Sequence, residues 1–228
     1  MRATHNVLMI DLWLVRHGET DWNRELRFQG HLDAPLNALG LQQAQRLGQH
    51  LAKNGPSPLL ASDLLRTRQT AEPLAGQWQT SALPEMLWRE QAFGVIEGLT
   101  LLEVHERYPE VVDGWRRRDP DFAPEGGESR RQFHARVMQA VQMLVQRCAQ
   151  EGWQSPVVVS HGGVLDMIYR SAIGQSLAGP RECTIPNAGL NLVRTDGVRF
   201  EIVQWAQTGH LEGLPPSAVY PLASPSKG

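Results

Sequence analysis

Short apolar runs rich in Val, Leu and Ile recur along the chain, separated by longer stretches whose leucines and alanines return at helical spacing. Val7 to Val15 and Pro156 to Ser160 read as buried strands, Leu59 to Ser62 as a short strand, and Met86 to Trp88 as a further one. Between them, Asn37 to Asn54 carries Leu39, Leu41, Leu47 and Leu51, with Asn37 as N-cap and Gly55 and Pro56 as the stop. A second helix is expected from Asp63 to Trp78, with Pro73 inside it forcing a kink or an early end. Thr100 to Arg118 reads as two short helices broken at Pro109. Thr100 with Glu103, and Ser129 with Gln132, have capping-box form, the second opening a helix that runs to about Glu151. Another helix is expected from Val164 to about Ala172. Leu190 to Arg194 and Arg199 to Trp205 flank Thr195-Asp196-Gly197-Val198, a hairpin signal.

Strands alternating with helices predict a three-layer α/β/α sandwich with a mostly parallel central sheet and an antiparallel late strand. No repeat or long linker divides the chain, so a single domain over 1–212 is expected. Residues 213–228, rich in proline and serine, read as a loose C-terminal tail.

Composition changes little in this picture. The 228 residues are 41% hydrophobic and 20% charged with a net charge of −2, which suits a soluble α/β domain and carries no nucleic-acid footprint. The cationic run Arg116-Arg117-Arg118 reads as a solvated helix face. Cys148 and Cys183 lack C-x-x-C spacing and read as reduced thiols. The start of the chain has no cleavage-site pattern, and no stretch approaches a membrane span, so a cytoplasmic location is expected with no membrane partner.

Two strand ends carry the candidate chemistry: Arg16-His17-Gly18-Glu19-Thr20 and Ser160-His161-Gly162-Gly163. Each apolar run ends in histidine followed by glycine, and open α/β sheets place their sites at carboxyl strand ends. A phosphomonoester is a dianion, and Arg16 and Arg66 offer planar forks that bond two of its oxygens at once. The first helical turn near Arg66, and the N–H groups following each histidine, add anion-binding capacity. A histidine between arginines is pushed toward neutral imidazole, the nucleophilic form, which suits His17 to covalent attack and His161 to donation. The leaving oxygen needs a proton, and negative charge on a bound phosphate favours the acid form of a neighbouring carboxyl. Glu90, in Trp88-Arg89-Glu90-Gln91-Ala92-Phe93-Gly94, is the choice among 24 acidic residues.

Taken in order, these segments resemble the histidine phosphatase superfamily, also called the phosphoglycerate-mutase-like family. The matching elements are Arg16 to Thr20 with Asn23, Gln29-Gly30, Pro35-Leu36-Asn37 with Gly40 and Gln43-Ala44, and Ser62-Asp63-Leu64 with Arg66-Thr67 and Gln69-Thr70-Ala71. Glu90, Phe93-Gly94, Glu97-Gly98, Pro124 to Ser129 and Ser160 to Gly163 follow. The resemblance covers roughly residues 7 to 195 and is strongest as an ordered set. It implies that His17 is phosphorylated, that Arg16, Arg66 and His161 hold the phosphoryl group with Asn23 and the Gly162 N–H assisting, and that Glu90 donates the proton. It implies no metal and no cofactor, a lid at about 99–128, and a possible homodimer. Gly162-Gly163 after the second histidine, in place of an Asp, points to the mutase and small-phosphatase branch. Ile96 before Glu97, and Glu125 before Gly126-Gly127-Glu128-Ser129, depart from the usual pattern at the substrate rim.

The short segment between Glu90 and Gly127 favours hydrolysis over mutase chemistry, because a mutase has to shield its phosphohistidine from water. The expected activity is therefore a metal-independent phosphomonoesterase acting on a small soluble ester. A cofactor-dependent phosphoglycerate mutase and a non-catalytic phosphate-binding module are the alternatives. His5, His50, His105, His134 and His210 read as surface or core histidines, and His31 as structural. Asp119-Pro120-Asp121 reads as a turn, and Trp115 as packing that has room to face substrate.

Overall fold

The computed structural model describes residues 8–217. In chain order its regular elements are β1 (Ile10–Arg16), α1 (Asp21–Arg24), α2 (Ala38–Leu51), β2 (Leu59–Ala61), α3 (Leu65–Trp78) and β3 (Leu83–Pro84). These are followed by α4 (Leu101–Arg107), α5 (Pro109–Arg116), α6 (Arg130–Glu151), β4 (Val157–Ser160), α7 (Gly162–Ile173), β5 (Leu190–Thr195) and β6 (Phe200–Gln207). The six strands form one sheet in the order β3-β2-β4-β1-β5-β6. β3, β2, β4 and β1 run parallel, and β5 alone is antiparallel to both of its neighbours.

Side-chain alternation sorts the two faces. Ile10, Leu12 and Leu14 of β1 join Val158 and Val193 in a core closed by Phe133 and Val137 of α6 and Leu165 and Ile168 of α7. Val15, Val157, Val159 and Leu190 face the other way, against Leu47 and Leu51 of α2 and Leu74 of α3. The sheet therefore lies between two helical layers, the sandwich expected from the sequence. Ile96, Val104, Val111 and Val112 form a separate small core under α4 and α5.

Several expectations are met closely. Asn37 Oδ1 accepts from Gly40 N at 2.9 Å at the start of α2. The Thr100 and Ser129 capping boxes are both formed, and Pro109 opens α5. Two expectations are not. Met86–Trp88 is a 3-10 turn, its Leu87 N–H received by Glu85, and the strand lies earlier, where Leu83 pairs with Leu60. Burial of Trp88 against the α6 side of the sheet is satisfied by the turn, whose Trp88 carbonyl accepts from Ser160 Oγ at 2.7 Å. Of the kink or early end expected at Pro73, the early end is absent, and α3 continues to Trp78. Gly48 of α2 packs against Pro73, and this close helix pair outweighs the lost backbone hydrogen bond. The β1 expectation begins at Val7, outside the described residues, as do residues 218–228 of the tail. Residues 213–217 are described and reach the cavity discussed below.

The loop after β1 sits directly on the first turn of α2. A Cβ on Gly18 would approach Gly40 O to 2.6 Å, and a Cβ on Gly40 would overlap Glu19 O. Only backbone against backbone fits there, which fixes the segment that follows His17. Gly40→Ala should therefore cost roughly 1–3 kcal/mol of stability, as overpacking does. Urea unfolding should give a lower midpoint at unchanged slope, and an unchanged midpoint would remove this close-contact account.

Candidate active site

β1 and β4 are adjacent and parallel, with Arg16 paired to Ser160. The next residue on each strand is a histidine, so the register itself brings His17 and His161 together, ring centroids 5.3 Å apart. His17 N–H donates to Ser160 O at 2.9 Å, and its carbonyl accepts from Asn187 Nδ2 at 3.0 Å. Its Nδ1 lies 2.7 Å from Gly18 O. A carbonyl only accepts, so that contact places the ring proton on Nδ1 and leaves the lone pair on Nε2. Burial, then the charges of Arg66 and Arg16, hold His17 well below the usual imidazole range against the opposing Gly18 bond. His161 is held low by burial first and then by Arg66 and His17. Its Nε2 meets Ser62 Oγ at 2.9 Å, while Nδ1 is buried without a hydrogen-bond partner.

Arg66 leaves the first turn of α3 and is fully buried. Its Nη1 and Nη2 donate to the carbonyls of Leu32 and Gly30 at 2.9 and 2.8 Å, while its buried Nε has no partner. Burial brings it down to about 10, with Glu90, Asp33 and Glu97 pulling the other way. Leaving such a donor unmet costs on the order of 1–3 kcal/mol, a cost that a bound anion removes. Arg16 Nη1 is anchored on Ile185 O at 2.6 Å. Asn23 Oδ1 accepts from Thr20 N at 3.0 Å and Asn187 Nδ2 at 3.3 Å, which turns the Asn23 amide NH₂ into its available group.

α7 begins at Gly162, two residues earlier than expected from the sequence, with His161 as its N-cap. The Gly162 and Gly163 amides are thus first-turn N–H donors at the positive end of a helix dipole. Glu90 Oε2 accepts from Gly163 N at 3.0 Å, and Oε1 from Gln91 N at 2.9 Å. A Cβ at position 163 would overlap that carboxylate, so any larger residue there would displace the Glu90 side chain.

The backbone carrying Glu90 is clamped by residues that the sequence reading did not single out as site residues. Arg136 of α6 donates to the carbonyls of Leu87, Arg89 and Glu90, each at 2.9 Å. It also forms a bidentate pair with Glu128 at 2.8 and 2.6 Å. Burial pushes the Glu128 carboxyl up, but Arg136 and the Ala92 N–H hold it below its ordinary value. His31 Nε2 lies 2.9 Å from Glu90 O, so this histidine supports the Glu90 segment from the loop after α1. Glu97 Oε1 receives the N–H groups of His31 and Phe93 at 3.0 and 2.9 Å and ties the two loops together.

A cavity of about 1000 Å³ opens over these groups, lined by Arg16, His17, Asn23, Arg66, Glu90 and Gly162. His161 is not on its wall and stands buried beside His17. Leu214 to Ser217 also line the cavity, and Ser217 Oγ lies 2.7 Å from Gln43 Nε2. Trp115 packs against Phe28 with centroids 5.3 Å apart and does not line the cavity. Asp119 to Asp121 is a turn, Asp119 Oδ1 accepting from Asp121 N at 2.9 Å. His50 and His210 stack together, His134 meets Ser171, and His5 falls outside the described residues. Among the described residues no three His, Cys, Asp or Glu side chains gather as a metal-binding group, and no helix is long and apolar enough to cross a membrane.

The electrostatics give a direct expectation. Cε1 resonances of His17 and His161 in labelled protein should stay at their neutral positions as pH falls through 6.5, and Arg66→Met should move the His17 titration upward. A folded-state pKa below the unfolded value means fewer protons bound in the native state. The stability linked to this pair is therefore full above pH 6.5 and is lost as pH falls below it. Titration of either ring at its ordinary value would contradict the account.

The histidine phosphatase superfamily (branch 1) model matches residues 12–208 of this chain. The chain is 35% identical to phosphoglycerate mutase-like protein 4 of Arabidopsis thaliana, over 89% of its own length and 87% of that protein's. It is 33% identical to an Arabidopsis thaliana metal-independent phosphoserine phosphatase, over 90% and 84% of the two chains. Its fold superposes on a mycobacterial glucosyl-3-phosphoglycerate phosphatase complexed with VO3 at a TM-score of 0.74 and 28% identity, covering 87% of this chain and all of that one. With the paired strand-end histidines, the buried arginines and a match across most of its length, the chain belongs to the histidine phosphatase superfamily, branch 1.

Proposed function

We propose that this protein is a metal-independent phosphomonoesterase that hydrolyses a small soluble phosphate ester through a phosphohistidine at His17. The observation that carries the reading is the His17 ring. Its Nδ1 faces the Gly18 carbonyl and its Nε2 is left as a neutral nucleophile among buried arginines. The reading agrees with the phosphatase names of the relatives above. A cytoplasmic setting suits Cys148 and Cys183, which are free thiols.

In the first step His17 Nε2 attacks phosphorus, the bond to the ester oxygen breaks, and Glu90 in its acid form gives that oxygen a proton. Arg16 and Arg66, with the buried Nδ1 of His161 and the first-turn amide of Gly162, hold the phosphoryl oxygens while negative charge redistributes over them. Asn23 adds its amide donor. In the second step Glu90 takes a proton from water, the water oxygen bonds to phosphorus, and the P–N bond breaks. Inorganic phosphate leaves with His17 neutral and Glu90 protonated again.

The cavity is open enough for water to reach this centre, with only the short helices α4 and α5 in the lid region. That favours hydrolysis over transfer to a second substrate hydroxyl. Phosphate release from a panel of esters in the presence of chelator should be robust in wild type and absent in His17→Ala. Primer-dependent isomerisation of 3-phosphoglycerate with little phosphate release would instead make the chain a mutase. Glu90→Gln should slow hydrolysis of alkyl phosphates by roughly 10²–10⁴-fold and that of p-nitrophenyl phosphate far less, because nitrophenolate leaves without a proton. Equal losses on both would remove Glu90 from the proton-donor role.

A further inference from the structure

At the rim of the same cavity a second group of arginines surrounds a single carboxylate. Asp166 of α7 is buried and lines the cavity. Its Oδ2 accepts from Arg170 Nε at 3.0 Å and lies 3.7 Å from Arg130 Nη2. Its Oδ1 has no hydrogen-bond partner and stands 3.7 Å from Arg181 Nε. Three guanidinium groups thus share one acid, and for two of them the contact is longer than a hydrogen bond. Arg130 is also the first residue of α6, the end of a helix that favours negative charge over positive. Burial, and then the charge of Arg170, lowers its pKa, Arg181 adding to the effect.

The loop carrying Arg181 is built, not incidental. Arg170 donates to the carbonyls of Ser176 at 2.6 Å and Pro180 at 2.5 Å, and Arg130 to those of Leu177 at 2.6 Å and Gly179 at 2.9 Å. Two arginines thereby hold the backbone that places a third. Arg181 then points back toward the reacting centre. A Cβ on Gly162 would lie 3.5 Å from Arg16 Nε and 3.7 Å from Arg181 Nη1, so both guanidiniums border the same small space.

We propose that Arg181, with Arg130 behind it, recognises a second anionic group on the substrate, a carboxylate or a further phosphate a few bonds from the phosphoryl group that His17 attacks. The inference rests on the phosphomonoesterase reading and narrows it to phosphorylated acids and bisphosphates. Neutral alcohol phosphates fill the phosphoryl site and leave the arginine excess at the rim unmatched. A charge-assisted guanidinium contact in a partly dry site supplies the discrimination.

The test compares esters with the same skeleton: 3-phosphoglycerate against glycerol 3-phosphate for a carboxylate, and fructose 1,6-bisphosphate against fructose 6-phosphate for a second phosphate. The quantity read is the ratio of kcat/KM within each pair. In wild type at least one ratio should favour the more anionic ester. In Arg181→Gln that ratio should fall roughly 10- to 100-fold, mainly through KM, with partial recovery in Arg181→Lys. The pair that responds identifies the anion. Arg181 is one-third exposed, so its replacement leaves the core packing in place. The same pairs are then titrated against His17→Ala protein, with and without Arg181→Gln, reading thermal stabilisation. Turnover of no ester by wild type would overturn the phosphatase reading, and the binding comparison would still decide the anion site. Ratios and stabilisation that are the same with Arg181 and with Gln at that position would overturn the proposal.

Discussion

The site depends on one constraint, the in-register parallel pairing of β1 with β4. Because Arg16 sits opposite Ser160, the residues that leave the two strands are His17 and His161, and neither needs a long side chain or a flexible loop to reach the other. The same pairing buries both rings beside Arg66, and burial with positive charge keeps them neutral. A register slip of one residue would turn Leu12 and Leu14 out of the core face and carry the histidines apart. Folding and function thus draw on the same four pairs of residues along β1 and β4.

Around that pair, the protein spends its buried polar groups on placement. Gly18 and Gly40 seat the loop after β1 on α2, and Asn187 holds the His17 carbonyl. Arg136 grips the carbonyls of Leu87, Arg89 and Glu90, while His31 also meets the Glu90 carbonyl. Among the buried groups left unpaired are Arg66 Nε and His161 Nδ1, which an anionic ligand can use. Such orphaned donors are costly in a finished core and useful in a site that binds phosphate.

Much of the frame was legible because it rests on local patterns. The apolar runs marked β1 and β4, Asn37 and Ser129 marked helix starts, and the two His-Gly pairs at strand ends marked the candidate site. The family resemblance added Asn23 to that set and supported Glu90, chosen as the acid from its local segment. Short-range signals failed where tertiary packing decides. Met86–Trp88 has strand composition but turns to bury Trp88, and Pro73 stays within α3 because Gly48 accommodates it. Arg136, Asn187, Arg130 and Arg181 carried no signal of their own. Their partners lie far away in the chain or are backbone carbonyls, which no spacing rule encodes.

The account turns on a covalent bond between phosphorus and His17. The most direct measurement is mass spectrometry of enzyme quenched in base during turnover, where phosphohistidine survives, followed by peptide mapping. The account predicts one phosphoryl group, on His17 and attached through Nε2, absent in His17→Ala and accumulating when Glu90→Gln slows its hydrolysis. A phosphoryl group on another residue, or none during measurable turnover in either wild type or Glu90→Gln, would contradict it.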